Sequence, residues 1–423
     1  MSDAPRRVPA AWKIAVLAAL YFAQGLPFGF QSNALGLYLT ELGLSMKQVS
    51  FSRLLSLPWG FKALWAPLVD RFGSRRFGRR KSWIVPAQVL LAATCALAAW
   101  VPPQEHLALL LALVLAMNFF AATQDIAVDG LAVDLLEPRE LGAGNAAQVV
   151  GHKVGMLTGG GLLVAASALL GGWRGLFLAM GSLCLAVMTL VLFVKEPDVE
   201  HASGAAPLSW RDFVGRAREV LKTPGVGWLL VAVGTYKLGE SMADAMFGPY
   251  LVRAHDLQTE TVALWIGSWG TVASLAGSAA GGVLATRTRL VRAVQIAAVL
   301  RVGPLVLQWA LAAGFLAPER TTIVALTCAE HFFGGVLTTT MFALMMSQVD
   351  RRIGATHFTV LASVEVMGKA PAGVLSGVFV DWLGFAPVFL AAAALSAAYV
   401  LVLLPLDRAL HRPTVARGAS PVG

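Results

Sequence analysis

The 423-residue chain is 57% hydrophobic and only 13% charged, with a mean hydropathy of +0.69 and a formal net charge of +9. That balance excludes a water-soluble globular domain. Cys95, Cys184 and Cys328 all fall in apolar stretches without metal-ligand spacing, which excludes a thiolate metal module.

Twelve stretches are apolar and long enough to cross ~30 Å of hydrocarbon at ~1.5 Å per residue, so the chain is expected to be an all-α membrane protein. They cover residues 12–39, 48–69, 82–101, 107–136, 142–169, 174–194, 225–252, 261–285, 291–315, 321–349, 356–382 and 384–405. The first follows Arg6, Arg7 and Lys13 as a signal peptide would. Gln24, Pro27 and Asn33 interrupt it, and it is too long for an h-region, so it reads as a retained helix.

The second span holds Arg53 and Lys62 and leaves the membrane through "SLPWGFKALWAPLVDRFGSRRFGRRKSW". Lys62 is expected to pair with Asp70 two turns on. A carboxylate at a helix end beside arginines can latch neighbouring helices in one state and release them in another; topogenic charge is the competing explanation.

In the fourth span, "FFAATQDIAVDGLAV" places Asp125 and Asp129 one helical turn apart, on a stripe shared with Asn118. Counted from Glu137, Asp129 lies ~12 Å and Asp125 ~18 Å into the membrane. A charge at that depth costs several kcal/mol without water or a cation, and two acids within one turn raise each other's proton affinity. A shared proton, hence a proton relay, competes with permanent pairing to a basic neighbour. Asp134 reads as a structural charge at the helix end.

The fifth span carries His152 and Lys153, together with Gly151, Gly155 and Gly159 at small-xxx-small spacing; Gly277 and Gly281 repeat that spacing in the eighth. Such steps serve close helix packing, or gating surfaces where bundles slide. In the seventh span, "YKLGESMAD" puts Lys237, Glu240 and Asp244 near mid-depth. Lys237 and Glu240 can neutralise each other at i, i+3, which leaves Asp244 uncompensated. Arg301 lies in the ninth span and Lys369 in the eleventh, one turn from Glu365. Lys153 and Lys369 are too deep to snorkel easily and need carboxylates, carbonyls or an anionic solute.

The polar connection from Lys195 to Pro224 divides the chain into a bundle over 1–194, a linker over 195–224, a second bundle over 225–405 and a tail over 406–423. "NFFAATQDIAVDGLAVDLLEPR" aligns with "HFFGGVLTTTMFALMMSQVDRR" when Asn118 is set on His331, and the same offset brings Gly155 onto Gly368. That is the residue of a duplicated six-span unit. Asp125 meets Thr338 and Asp129 meets Phe342, so the acidic pair belongs to the first half alone. Lys47, Arg174, Arg253 and Arg320 fall on one side of the membrane, and most other Lys and Arg residues outside the spans fall on the side of the N-terminus. The positive-inside rule then sets both termini in the cytoplasm, and the net charge reports orientation rather than a nucleic-acid partner.

These residues resemble the major facilitator superfamily, in the branch of muropeptide permeases and acetyl-coenzyme A transporters. "PWGFKALWAPLVDRFGSRRFGRR" resembles the branch's second helix and following loop, and "AATQDIAVDGLAV" its fourth-helix signature. "ELGAGNAAQVVGHKVG" resembles its fifth helix and looks closest to an orphan vertebrate member. The likeness runs over residues 20–180; the second half matches in general pattern. The resemblance implies two pseudo-symmetric six-helix bundles that alternately open a central cavity, with uptake of a bulky organic anion coupled in many members to protons. It assigns Asp125 and Asp129 to the acidic signature, Gln124 to a polar neighbour of the substrate path, and Asp70 with Arg71 to a loop latch. The loop "GGVLATRTRL" in the second half is degenerate. There is no room for the two additional helices of some muropeptide permeases.

The expected function is secondary transport of an organic anion across a bacterial cytoplasmic membrane, driven by protons through Asp125 and Asp129. Lys153, Lys237 and Lys369 would attract the anion, and Glu240 and Asp244 would line its path. No cofactor or metal is expected, and no GxxxxGK[ST] loop supplies ATP coupling. An intramembrane enzyme using the same acids, or a receptor-like homologue that binds without transport, are the other classes compatible with the chain.

Overall fold

Eight of the expected spans fold as helices long and apolar enough to cross a membrane among the residues described by the computed structural model, namely 9–35, 39, 52–74, 76–194, 196, 210–255 and 269–410. These are the first, third, fourth, sixth and ninth to twelfth spans. Lys47, the Arg53 side chain, Pro197 and Pro207 lie outside the described residues. No strand forms among the described residues beyond a single bridge between Ser74 and Gly78.

Of the four other spans, the second, fifth and seventh are interrupted among the described residues. The second is a 3₁₀ turn (Ser52–Ser56), a helix Leu57–Phe61, a second 3₁₀ turn (Lys62–Leu64) and a helix Ala66–Arg71. Pro58 and Pro67 each start a new helical piece, because proline has no N–H to continue the preceding one. The fifth is a helix Leu141–Leu157 that loosens into a π turn at Thr158–Leu162, where three successive glycines weaken helical preference. The seventh breaks between Val226–Thr235 and Leu238–His255. The eighth is described from residue 269, with its α-helix at Thr271–Arg287; residues 261–268 lie outside the described residues.

The remaining helices run Ala10–Gly29, Lys81–Ala98, Pro103–Leu135, Trp173–Leu192, Leu290–Ala312, Arg320–Ser347, Gly354–Leu383 and Phe385–Leu410. Between the halves, an amphipathic helix Trp210–Lys222 rests on the body through Arg216, which donates to Asp350 at 2.6 Å.

The small-residue steps fix the closest helix pairs. Gly151, Gly155 and Gly159 lie against the carbonyls of Ala18, Phe22 and Leu26 in the first span, leaving no room for a Cβ. Gly277 and Gly281 lie in the same way against Phe332 and Val336 of the tenth. Both contacts are internal to a half, so these glycines serve packing rather than a sliding surface between bundles.

Three apolar cores show how the halves meet. One is common to both, joining Leu17 and Leu131 to Val294, Met345 and Phe358 at the end of the molecule that carries the N-terminus. At the opposite end each half has its own core, around Phe30 and Phe177 in the first and Phe247 and Phe389 in the second. The halves are therefore closed on each other at the N-terminal side and packed separately at the other.

Candidate functional site

The break in the second span decides the first cluster. Its 3₁₀ turn carries Lys62 inward to the fourth span, where the buried ammonium forms an ion pair with Asp125 and stands 3.8 Å from Asp129. Lys62 does not pair with Asp70: eight residues keep a common face only in a continuous helix, and this one is broken twice. The first span completes the site. Gln24 donates to Asp125 at 2.5 Å and Tyr21 to Asp129 at 2.6 Å, while Gln148 of the fifth span approaches Asp129 at 3.4 Å. Two carboxylates and one cation are thus enclosed by neutral donors in a site nearly closed to solvent.

Around this cluster the neighbouring polar groups have structural partners. Asn118 accepts from the Trp59 indole at 2.9 Å, and Thr123 from Trp65 at 3.1 Å, tying the broken second span to the fourth. His152 packs on Phe28 and Trp59, with ring centroids 5.6 and 6.0 Å away. Gln124 is fully buried and donates to the Leu20 carbonyl at 3.3 Å, so it faces the first span.

The second cluster forms at the break in the seventh span. Lys237 sits in the turn between the two helices, 3.7 Å from Glu240 and 3.7 Å from Glu365. The expected pairing within the seventh span is therefore shared with the eleventh. Glu365 also accepts from Lys369 at 2.9 Å, and Glu240 lies 3.4 Å from the buried Arg301, whose other partner is Glu330. Asp244 is exposed one turn beyond Glu240. Lys153 differs from the other lysines: it reaches across from the fifth span to the neutral hydroxyl of Ser274 in the eighth. Non-helical backbone at membrane depth is tolerated where protein buries it or a cavity lies beside it, and both clusters sit at such breaks.

The third group is the latch. Asp70 accepts from Arg79 at 2.9 Å, from Arg80 at 2.7 Å, and from the backbone N–H groups of Ala355 and Thr356 at 3.2 and 2.6 Å. One carboxylate of the first half thus caps the start of the eleventh span in the second. Burial of Asp70 favours the neutral acid, but Arg80, Arg79 and the Thr356 N–H outweigh it and hold the carboxyl below its usual range. Arg71, one residue on, is turned by ~100° of helix and lies 5.7 Å from the Phe72 ring, so the cations holding Asp70 come from the loop instead. Arg80 is fully buried and continues to Asp134 at 3.0 Å, passing over Gly130 where a Cβ would collide with its guanidinium. Arg351 returns the connection by donating to the Leu136 carbonyl at 2.7 Å.

Sequence reasoning missed Tyr21, Gln148, Arg80 and Glu330. Tyr21 and Gln24 stand at i, i+3 on the first span, a polar pair in an apolar helix that could have marked them. Glu330 directly precedes the His331 at which the internal repeat was aligned.

Comparison with known proteins gives the same frame. The family model described as acetyl-coenzyme A transporter 1 matches residues 13–164. The anhydromuropeptide permease of Escherichia coli K12 is 30% identical over 423 aligned positions, covering 97% of this chain and 84% of the permease. Two solved structures share the fold at low identity. The transporter FucP in its outward conformation superposes with a TM-score of 0.68 at 16% identity, over 92% of this chain and 97% of that one. The human organic anion transporter MFSD10 gives 0.65 at 14% identity, over 94% and 100%. A polytopic helical body in two related halves and a permease relative matched along nearly the whole chain lead to one assignment: this integral membrane protein is a transporter belonging to the muropeptide permease and acetyl-coenzyme A transporter branch of the major facilitator superfamily.

Proposed function

We propose that the protein is a proton-driven transporter of a bulky organic anion of the anhydromuropeptide class, working by alternating access in a bacterial cytoplasmic membrane with both termini inside. The single observation that carries the coupling is one cation, Lys62, placed between two buried acids, Asp125 and Asp129. With both acids ionised the site holds one uncompensated negative charge in a region closed to water. Protonation removes that charge, so proton entry and the position of Lys62 are linked.

The chemistry of the second cluster supports an anionic solute. Lys153 faces a neutral hydroxyl and is the lysine whose charge is most available to a carboxylate or phosphate. The full-length permease relative favours an anhydromuropeptide, whereas the acetyl-coenzyme A transporter model covers the first half. The closed core at the N-terminal side and the separate cores opposite are the arrangement of a carrier loaded from the outer face.

The test is uptake of a labelled anhydromuropeptide into proteoliposomes. Asp129→Asn is expected to abolish uptake driven by a pH gradient while counterflow of preloaded substrate continues. Gradient-driven uptake equal to the parent's would remove the coupling role. Binding of acetyl-coenzyme A in preference to the muropeptide would reassign the substrate.

A further inference from the structure

Where the fifth and eighth spans cross, near the end of the molecule that carries the N-terminus, the surface holds a groove of about 420 Å³. Both halves line it. Ile14 of the first span, with Ala147 and Val150 of the fifth, forms one wall, and Ala279, Val283 and Arg287 of the eighth form the other. Gly282 lies between them, so close to Ala146 of the fifth span that a Cβ would collide. Glycine and alanine stand where longer side chains would have filled the furrow.

The groove opens outward, to lipid. Asn145 and Gln148 of the fifth span turn inward, to Met346 and Asp129. At ~100° per residue, Ala147 and Val150 fall on the opposite side of that helix. Gly277 and Gly281 of the eighth span face Phe332 and Val336 of the tenth, while Ala279 and Val283 are exposed on the side away from it. Water has little to hold it there, because a buried water needs two to four polar partners and the Thr286 hydroxyl is already donated to the Gly282 carbonyl at 2.8 Å. From Ala279 to Arg287 the wall runs ~12 Å, close to half the ~30 Å of bilayer hydrocarbon, which is the depth of one leaflet's acyl chains.

The mouth of the groove carries a charge. Arg287 ends its helix at the surface, exposed and without an ion pair or side-chain hydrogen bond among the described residues. Other cations at this end are engaged: Lys13, beside Ile14, with Glu140 at 2.9 Å, and Arg139 with Glu137 at 3.0 Å. A guanidinium at headgroup level can take a phosphate through two parallel N–H···O bonds.

We propose that this groove binds one anionic phospholipid, with an acyl chain lying between the fifth and eighth spans and the phosphate held by Arg287. The lipid touches both halves and joins them from outside. The site is separate from the Asp125–Asp129 cluster and from Lys153, and its test needs neither a proton gradient nor a transported substrate.

The experiment is native mass spectrometry of the full-length protein with phosphatidylglycerol and phosphatidylcholine of equal chain length. The parent is expected to retain one phosphatidylglycerol about fivefold more tightly than phosphatidylcholine, the preference that one basic residue near the surface supplies. Arg287→Gln is expected to bring the two lipids to the same affinity, and Arg287→Lys to keep most of the difference. Ala279→Trp and Val283→Trp, both at exposed positions, fill the groove and should each remove the tightly held lipid. Equal retention of the two lipids by the parent, or a phosphatidylglycerol that stays bound in both tryptophan variants, would overturn the site. Displacement of the lipid by glycerol phosphate at matched concentration would assign Arg287 to a soluble phosphate and overturn it as well.

Discussion

Lys62 forms its ion pair with Asp125 and stands 3.8 Å from Asp129, so one ammonium from the broken second span serves both acids of the fourth. Removing it leaves two acids facing each other in a closed site. Lys62→Gln is expected to destabilise the protein by about 3–5 kcal/mol, the usual cost of stripping one partner from a buried pair. In Lys62→Gln/Asp125→Asn much of that loss should return, because the remaining acid no longer faces a like charge. Thermal unfolding in detergent reads both numbers, and additive losses would show that the two residues are not coupled.

Asp70 joins the two halves through four hydrogen bonds, two of them to the start of the eleventh span. Asp70→Asn should shift the population toward separation at that end, seen as a longer distance between spin labels on Arg139 and Arg289. An unchanged distribution in Asp70→Asn would deny the latch its role.

The same carboxyl sets a pH dependence. Its acidity is greater when latched than when free, where the ordinary value is ~3.9, so the latch contributes fully above that value and loses its contribution as pH falls through the lower, latched one. Between pH 7 and 5 the difference in melting temperature between the parent and Asp70→Asn should therefore stay constant, and it should shrink only in stronger acid. A difference that already closes by pH 5 would contradict the cause assigned to Asp70.

Lys153 and Lys369 differ in what their ammonium groups meet. Lys153 meets a hydroxyl, Lys369 a carboxylate at 2.9 Å. Lys153→Gln is expected to weaken binding of an anhydromuropeptide about tenfold, roughly 1.4 kcal/mol, and to weaken a neutral analogue less. Lys369→Gln should have the smaller effect on affinity. Equal loss for charged and neutral ligands in Lys153→Gln would make that lysine structural.

Gly155 and Gly303 should respond in opposite directions to a side chain. Gly155→Val places atoms on the Phe22 carbonyl and is expected to cost about 3 kcal/mol or to prevent folding. Gly303 lies inside the ninth span with open space where a Cβ would go, so Gly303→Ala should stabilise by up to about 1 kcal/mol. Melting temperatures of the two variants check the pair together.

The helices were legible because the bilayer demands a run of apolar residues that few other environments produce, and the eight uninterrupted spans follow directly from it. Asp125 and Asp129 were legible for the converse reason, as charges where charge is costly. Their partners were not, because partnership is a property of three dimensions. Lys62 was assigned to Asp70 on the assumption of a continuous helix, and Pro58 and Pro67 break that helix on either side of it. The resemblance couples Arg71 with Asp70 in the latch, yet Arg79 and Arg80 are the arginines that reach Asp70, by way of the loop. Arg301 stood alone in its apolar span, and only the fold brings Glu240 and Glu330 to it from two other helices.

The glycine contacts have a mechanical consequence. With the fifth span pressed onto the backbone of the first, and the eighth onto that of the tenth, neither pair can shear without forcing carbonyls into α-carbons. Each pair is a rigid strut. The struts face one another where Gly142 of the fifth meets Gly282 and Thr286 of the eighth. That crossing joins two stiff bodies through a narrow seam where neither Gly142 nor Gly282 has room for a side chain.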